Sequence, residues 1–312
     1  MHSIFECLVN GARHLGVVEA PSDFPRLYHL DEPLASTLAQ RGFADIESVV
    51  RELMNKPAVD ASSFDLVAPL RPEQETMLFI SGFGLTHTGK MPAELLRGRK
   101  PGGKVPEVEL PFWFLKGFAG SARLPGDPVR LGPATRGICE EAELVLVYVV
   151  RPNGTPCYVG FTFGNDFTDI VRFRANKAQL AYCKLYDSGV LPQLHLGRPP
   201  LKVDGVTTVY RSGKVAWSRQ FETGVDRIFF DVEQMLDYMW QHATILVPGS
   251  VHYIYVGADK NTTDFGFQIG PDDTVELDFG PWGKLSNRII ANDAPRPPSR
   301  SDDTVSDAEM EA

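Results

Sequence analysis

Three acidic residues have the chemical type and the spacing to gather around one point: Glu141, Glu143 and Asp166. The run Glu141-Ala142-Glu143-Leu144-Val145-Leu146-Val147-Tyr148-Val149-Val150 reads as a strand, and strand side chains two apart share a face. Glu141 and Glu143 therefore point the same way, and Val145, Val147 and Val149 carry that face into a core. A turn with an Asn153-Gly154 step leads to a second strand-like run, Tyr158-Val159-Gly160-Phe161-Thr162-Phe163, which stops at Gly164-Asn165-Asp166. Pairing of the two strands would bring the three carboxylates together. Close carboxylates repel and resist ionisation. A hard divalent cation removes that cost, and oxygen ligands suit Mg²⁺, Mn²⁺ or Ca²⁺. The spacing alone also fits solvated acids at a strand end.

A second candidate is His87, in Gly82-Phe83-Gly84-Leu85-Thr86-His87-Thr88-Gly89-Lys90 after the apolar strand Met77-Leu78-Phe79-Ile80. Glycine-rich turns hold it at a strand end, where loops carry function, so it is the candidate general base. A hydrogen-bonded histidine that shapes the turn is the competing reading.

The elements that must position these groups are mostly strands. Residues 3 to 19 read as two strands around Asn10-Gly11, and residues 32 to 56 as helices with Leu34, Leu38, Phe43, Ile46, Val49, Val50 and Leu53 at helical spacing. Pro111 to Gly117 is a buried-looking strand carrying Lys116; residues 169 to 183 and 231 to 242 read as helices, and 206 to 221 as a hairpin. Residues 97 to 107 are basic and Gly/Pro-rich, a surface loop or part of a lid. From about Ala291 the chain is Pro/Ser-rich and then acidic, which predicts a disordered tail over 291–312. The expected organisation is a small N-terminal α+β subdomain over 1–72, a main domain over 73–290 and that tail.

Composition narrows the class. With 28 glycines and 24 prolines in 312 residues, a β-rich, loop-rich α+β protein is favoured over a helical bundle. The net charge of −9 and the lack of a strong basic run argue against a nucleic-acid partner. No stretch approaches a transmembrane span, and the N-terminus does not read as a secretory signal. The scattered cysteines Cys7, Cys139, Cys157 and Cys183 read as reduced thiols of a cytoplasmic protein.

Several blocks together resemble the fumarylacetoacetate hydrolase (FAH) family, whose marks are a Glu-x-Glu pair at a strand start, an Asn-Asp after the next strand and a later lysine. Here these are Glu141 and Glu143, Asn165-Asp166 and Lys184. Val247-Pro248-Gly249-Ser250 is similar to the family's Pro-Gly-Asp turn, and Val256-Gly257-Ala258 takes the place of its Gly-Thr-Pro. Gly270 to Glu276 and Gly283 to Arg288 resemble its closing segments, so the likeness runs over residues 77 to 290. Gly82 to His87, Gly164 to Asp169 and Ala181-Tyr182-Cys183-Lys184-Leu185 are most similar to the branch of bacterial 2-keto-3-deoxy-arabonate or pentonate dehydratases.

The resemblance implies a rolled, mostly antiparallel β-sheet domain, a homodimer, and a small-molecule 2-keto acid substrate. It implies a Mg²⁺ (or Mn²⁺/Ca²⁺) site at Glu141, Glu143 and Asp166, and a catalytic Lys184 of lowered pKa that holds the substrate carboxylate or donates a proton. Lys116, Gly257 and Ala258 fall at substrate-binding positions; Ile170 stands at the family's Arg position, and Arg172 and Arg174, two and four residues later, are the candidates for a substrate carboxylate. The departures matter. Many family members carry a His-Glu pair after the first strand that activates water for C–C cleavage; here Lys90 falls near that His and the dyad is missing. The favoured reading is therefore a lyase that dehydrates a 2-keto-3-deoxy sugar acid. The alternatives are C–C hydrolysis of a 2,4-diketo acid, a decarboxylase, isomerase or cyclase of a specialised pathway, and a ligand-binding protein that keeps the fold.

Overall fold

The computed structural model describes residues 3–19, 24–40, 46–91, 96 and 111–291. Phe43, the basic 97–107 stretch and, beyond Ala291, the expected acidic tail lie outside the described residues. No helix among the described residues is long and apolar enough to cross a membrane.

The strands used below are β1 Ser3–Val9, β2 Ala12–Val18, β3 Arg26–His29, β4 Leu78–Phe83, β5 Trp113–Gly117, β6 Ala142–Val150 and β7 Pro156–Asp166. They continue as β8 Leu194–His195, β9 Val203–Arg211, β10 Lys214–Thr223, β11 Val251–Tyr255, β12 Thr274–Asp278 and β13 Lys284–Ala291. The helices are α1 Leu34–Gln40, α2 Ile46–Met54, α3 Ile170–Ala175, α4 Leu180–Lys184 and α5 Val232–Met239.

A twelve-stranded sheet runs in the order β3-β2-β1-β8-β7-β6-β11-β4-β5, with the shorter strands off that path. Most pairs are antiparallel; β11 with β4 is parallel. A second sheet of five strands runs β10-β9-β12-β13 and ends on Val129–Leu131. The β-rich α+β class expected from composition is the class observed.

β6 is central and buried on both faces, which is why it reads as apolar without a break from Leu144 to Val150. Val145, Val147 and Val149 face one core with Ile4, Leu15, Leu34, Val50 and Tyr253. Leu144 and Leu146 face the other, with Phe161, Phe163, Leu277 and Phe279 between the two sheets. The first of these cores crosses residue 72. β1 pairs with β8, and α1 and α2 cover the same sheet face as the β6 valines, so the expected N-terminal boundary is not a break in the sheet. The turn after β1 is tight as expected: Asn10 and Gly11 both take positive φ, 50° and 80°. The four cysteines are free.

Candidate metal centre

The β6–β7 hairpin sets the carboxylates. Its register places Glu143 opposite Gly164 and Ala142 opposite Asn165. One step beyond β6, the Asp166 amide donates to the Glu141 carbonyl at 2.9 Å, and the Glu141 amide donates to Asn165 Oδ1 at 2.9 Å. The hairpin end is thus stitched shut just where the acids sit. Ligand oxygens of Glu141, Glu143 and Asp166 all lie within 4.8 Å of one another. All three side chains are buried.

Three lysines answer the three acids. Lys184, at the end of α4, donates from Nζ to Glu141 Oε2 and Asp166 Oδ2, both at 2.6 Å, and to Thr168 Oγ1 at 2.7 Å. It also lies 4.4 Å above the Phe114 ring. Lys116, on β5, is fully buried and donates to Asp166 Oδ1 and to the Phe167 carbonyl. Lys90 ends the 3-10 turn Thr88–Lys90 and donates to Glu141 Oε1 at 3.1 Å. Glu143 has no lysine partner in this set; its Oε2 accepts from the Gly257 amide at 2.6 Å. That amide can come so close because Gly257 has φ 118°, and a Cβ there would collide with the Thr86 hydroxyl.

The electrostatics follow. Burial, then the charges of Asp166 and Glu141, push the Glu143 carboxyl well above the usual carboxylate range. Burial works against charge on Glu141 too, but Lys184 and Lys90 outweigh it and hold that carboxyl well below the usual range. Burial would lower Lys184; Asp166, Glu141 and Glu143 outweigh it and hold its ammonium above the ordinary lysine value. The lowered pKa expected at Lys184 is therefore not found there. It is found at Lys116, where burial prevails over Asp166. A buried carboxyl that only a proton or a cation can stabilise, with two more carboxyl groups within 4.8 Å, is a donor set that fits a hard divalent ion. Glu141, Glu143 and Asp166 would hold it.

The other expected site residues divide clearly. Gly257 and Ala258 line the cleft above the triad. His87 does not. Its ring caps the Thr88–Lys90 turn, with Nδ1 accepting from the Gly89 amide at 3.0 Å and lying 3.6 Å from Asp259 Oδ1. Burial holds that imidazole below its ordinary pKa. Arg172 is committed to its own neighbourhood: Nε to Asp169 at 3.3 Å, Nη1 to Gln179 at 3.3 Å and Nη2 to the Ala134 carbonyl at 2.6 Å. Arg174 pairs with Asp264 at 2.7 Å. Neither arginine lines the cleft, because α3 is capped by Asp169, which also draws Arg172 back onto the helix start. Lys116 lies behind Asp166, so it positions that carboxylate from below.

Two residues of the centre escaped the sequence reading. Lys90 lines the cleft and holds Glu141; its place near the family's lid histidine was the available signal. Glu140 is buried on the opposite side of the strand start and accepts from the Thr262 amide at 3.0 Å and the Thr262 hydroxyl at 2.7 Å. Burial pushes its carboxyl up to about 7. Strand alternation would have flagged it only with knowledge of what packs on that side.

No family model and no curated protein matches the chain. Solved structures do. The chain is similar to 2-keto-3-deoxy-D-arabinonate dehydratase complexed with magnesium and 2,5-dioxopentanoate, with a TM-score of 0.66, 16% identity, and 93% of this chain covering 99% of that one. It is also similar to fumarylacetoacetate hydrolase from Exiguobacterium antarcticum, with a TM-score of 0.62, 19% identity, and coverage of 94% and 100%. The chain has the FAH fold. A third FAH-fold neighbour is 5-carboxymethyl-2-hydroxymuconate delta-isomerase from Mycobacterium smegmatis, with a TM-score of 0.61, 18% identity, and coverage of 93% and 99%. The FAH fold thus serves proteins named for dehydration, hydrolysis and isomerisation, and the choice among them rests on the residues of this cleft.

Proposed function

We propose that the protein is a divalent-metal-dependent enzyme acting on a 2-oxo acid, and that it works as a lyase, removing water from a 3-deoxy-4-hydroxy-2-oxo acid. The observation that carries the reading is the gathering of Glu141, Glu143 and Asp166, all buried, within 4.8 Å. The similar 2-keto-3-deoxy-D-arabinonate dehydratase structure is complexed with magnesium and 2,5-dioxopentanoate, itself a 2-oxo acid. A divalent ion, when bound there, would polarise the 2-oxo group and favour enolate charge.

The chain's own groups supply the rest. Three carboxylates and three lysines balance to no net formal charge, so a divalent ion leaves the centre at about +2. That matches an enolate dianion better than a ground-state monoanion, which is the differential stabilisation catalysis needs. Solvent water takes the C3 proton, the electron pair left behind forms the C3–C4 double bond as the C4 hydroxyl departs, and solvent afterwards returns a proton to Lys184. Lys184, held protonated, gives that hydroxyl its proton so that it leaves as water. Lys90 lines the cleft beside Glu141 and would pair with the substrate carboxylate if a cation were held by Glu141. His87 acts only through the turn it caps and is a positioning residue for Lys90.

Hydrolysis of a 2,4-diketo acid would share the chelate but needs an activated water. No histidine lines the cleft among the described residues, which favours the lyase. The reading extends to a homodimer in the cytoplasm; light scattering reads the dimer directly. The test is turnover of 3-deoxy-4-hydroxy-2-oxo acids with and without EDTA. Mg²⁺-dependent loss of water, reduced about 100-fold or more in Lys184→Met, is expected. Release of two carboxylate fragments would instead identify a hydrolase, and turnover that survives both EDTA and Glu143→Ala would sink the metal reading.

A further inference from the structure

The cleft above the carboxylates is chemically sorted. At its floor are Glu141, Glu143, Lys90, Lys184 and Thr168. Its wall is Leu85, Phe112, Ile170, Phe173 and Leu180. Away from the floor, no described lining residue offers a hydroxyl, amide or charged side chain. A polyhydroxylated tail would leave water for this wall with its hydroxyls unpaired, which costs affinity. Among the described residues, Arg172 and Arg174 are held by Asp169 and Asp264 and so do not offer a distal carboxylate a cation.

The wall also carries the marks of a surface kept for a ligand. Leu85 has φ 56°, a left-handed backbone that a leucine adopts at a cost, and its side chain is 40% exposed. Phe112 is 41% exposed, and its ring meets Phe173 edge-on, with centroids 6.4 Å apart at 65°. Two large apolar side chains thus stand open at the mouth of a cleft whose floor is polar. An occupant with one chelating end and one apolar end covers both.

We propose that the substrate is a 2-oxo acid whose tail, beyond the carbons that react, is an alkyl or aryl group, and that Leu85, Phe112 and Phe173 select it. This rests on the 2-oxo acid reading above and departs from the sugar acid that the family resemblance implies. The carboxylate and keto oxygens face the floor, and the tail lies along the aromatic pair.

The test is calorimetry on the Mg²⁺-loaded full chain with three unreactive probes: pyruvate, 2-oxo-4-phenylbutanoate and 2-keto-D-gluconate. The phenyl acid binds about ten-fold or more tighter than pyruvate, as burial of such a group implies, and 2-keto-D-gluconate binds no tighter than pyruvate. Phe112→Ser brings the phenyl-to-pyruvate ratio towards one. Equal binding of the phenyl acid and pyruvate, tighter binding of 2-keto-D-gluconate, or a ratio unmoved by Phe112→Ser would overturn the proposal. Failure of pyruvate itself to bind would overturn the parent reading with it, and is recognisable as such because pyruvate has no tail.

Discussion

Lys184 sits where a cation is needed whether or not a metal ion is present. It bridges Glu141 and Asp166 at 2.6 Å each, deep enough that water cannot replace it. Replacing it with methionine leaves buried charge uncompensated. Lys184→Met is therefore expected to cost roughly 3–5 kcal/mol of stability in EDTA, and much less in excess Mg²⁺, because the divalent ion takes over the compensation. Denaturant midpoints in the two conditions measure this; equal losses in both would show that no ion enters the site. Gly257 is the second sensitive residue. Gly257→Ala places a Cβ on the Thr86 hydroxyl at φ 118° and pulls the amide from Glu143. A loss of about 1–3 kcal/mol, with weakened Mg²⁺ binding, is expected by thermal melts and calorimetry. Both residues could be picked from the sequence by family pattern. Lys90 and Glu140 owe their places to tertiary packing: a 3-10 turn brings Lys90 to Glu141, and Thr262 holds Glu140 on the other side of the strand start.

At the scale of elements, the hairpin of β6 and β7 decides the geometry. Its strands were legible because both runs are mostly apolar and a Gly-containing turn joins them; Gly154 takes φ 80° in that turn. The convergence of Glu141, Glu143 and Asp166 was legible from strand alternation for the same reason. The arginines of α3 were not. Their helical spacing looked free for substrate, but Asp169 caps the helix and recruits Arg172, and Arg174 finds Asp264 across the fold. Asn165 is the stitch at the open end of the hairpin. Asn165→Ala leaves the buried Glu141 amide without its acceptor and is expected to cost about 1–3 kcal/mol, with Mg²⁺ affinity falling as the acids splay. Unchanged Mg²⁺ affinity in a stable variant would mean the hairpin end is not what sets the centre.

Across the whole molecule, one continuous sheet places the N-terminal strands, the hairpin and the Thr88–Lys90 turn in a single body. That continuity was not legible in the sequence, since the polar 57–76 connection looks like a boundary while the pairing of β1 with β8 bridges distant parts of the chain. Two histidines buried in this body report on its acid stability. His195 packs against Trp282, and His252 stacks on Phe79; burial lowers each imidazole to about 4. The unfolded chain, with histidines near their ordinary value of about 6.5, binds more protons than the folded one between those limits. Stability from these groups is thus complete above about pH 6.5 and is lost as pH falls towards about 4, by a few kcal/mol in all. Denaturant midpoints across that range, with and without His195→Phe, check the sign and the share.

Glu141, Glu143 and Asp166 should bind a divalent ion that a 2-oxo acid can share. Calorimetric titration of EDTA-stripped protein with Mg²⁺, alone and with oxalate as the enolate mimic, asks this in one measurement. Saturable binding that oxalate tightens and Glu143→Ala removes is the predicted result. Absence of Mg²⁺ binding in both conditions would contradict it, and the three acids would then be held by their lysines alone.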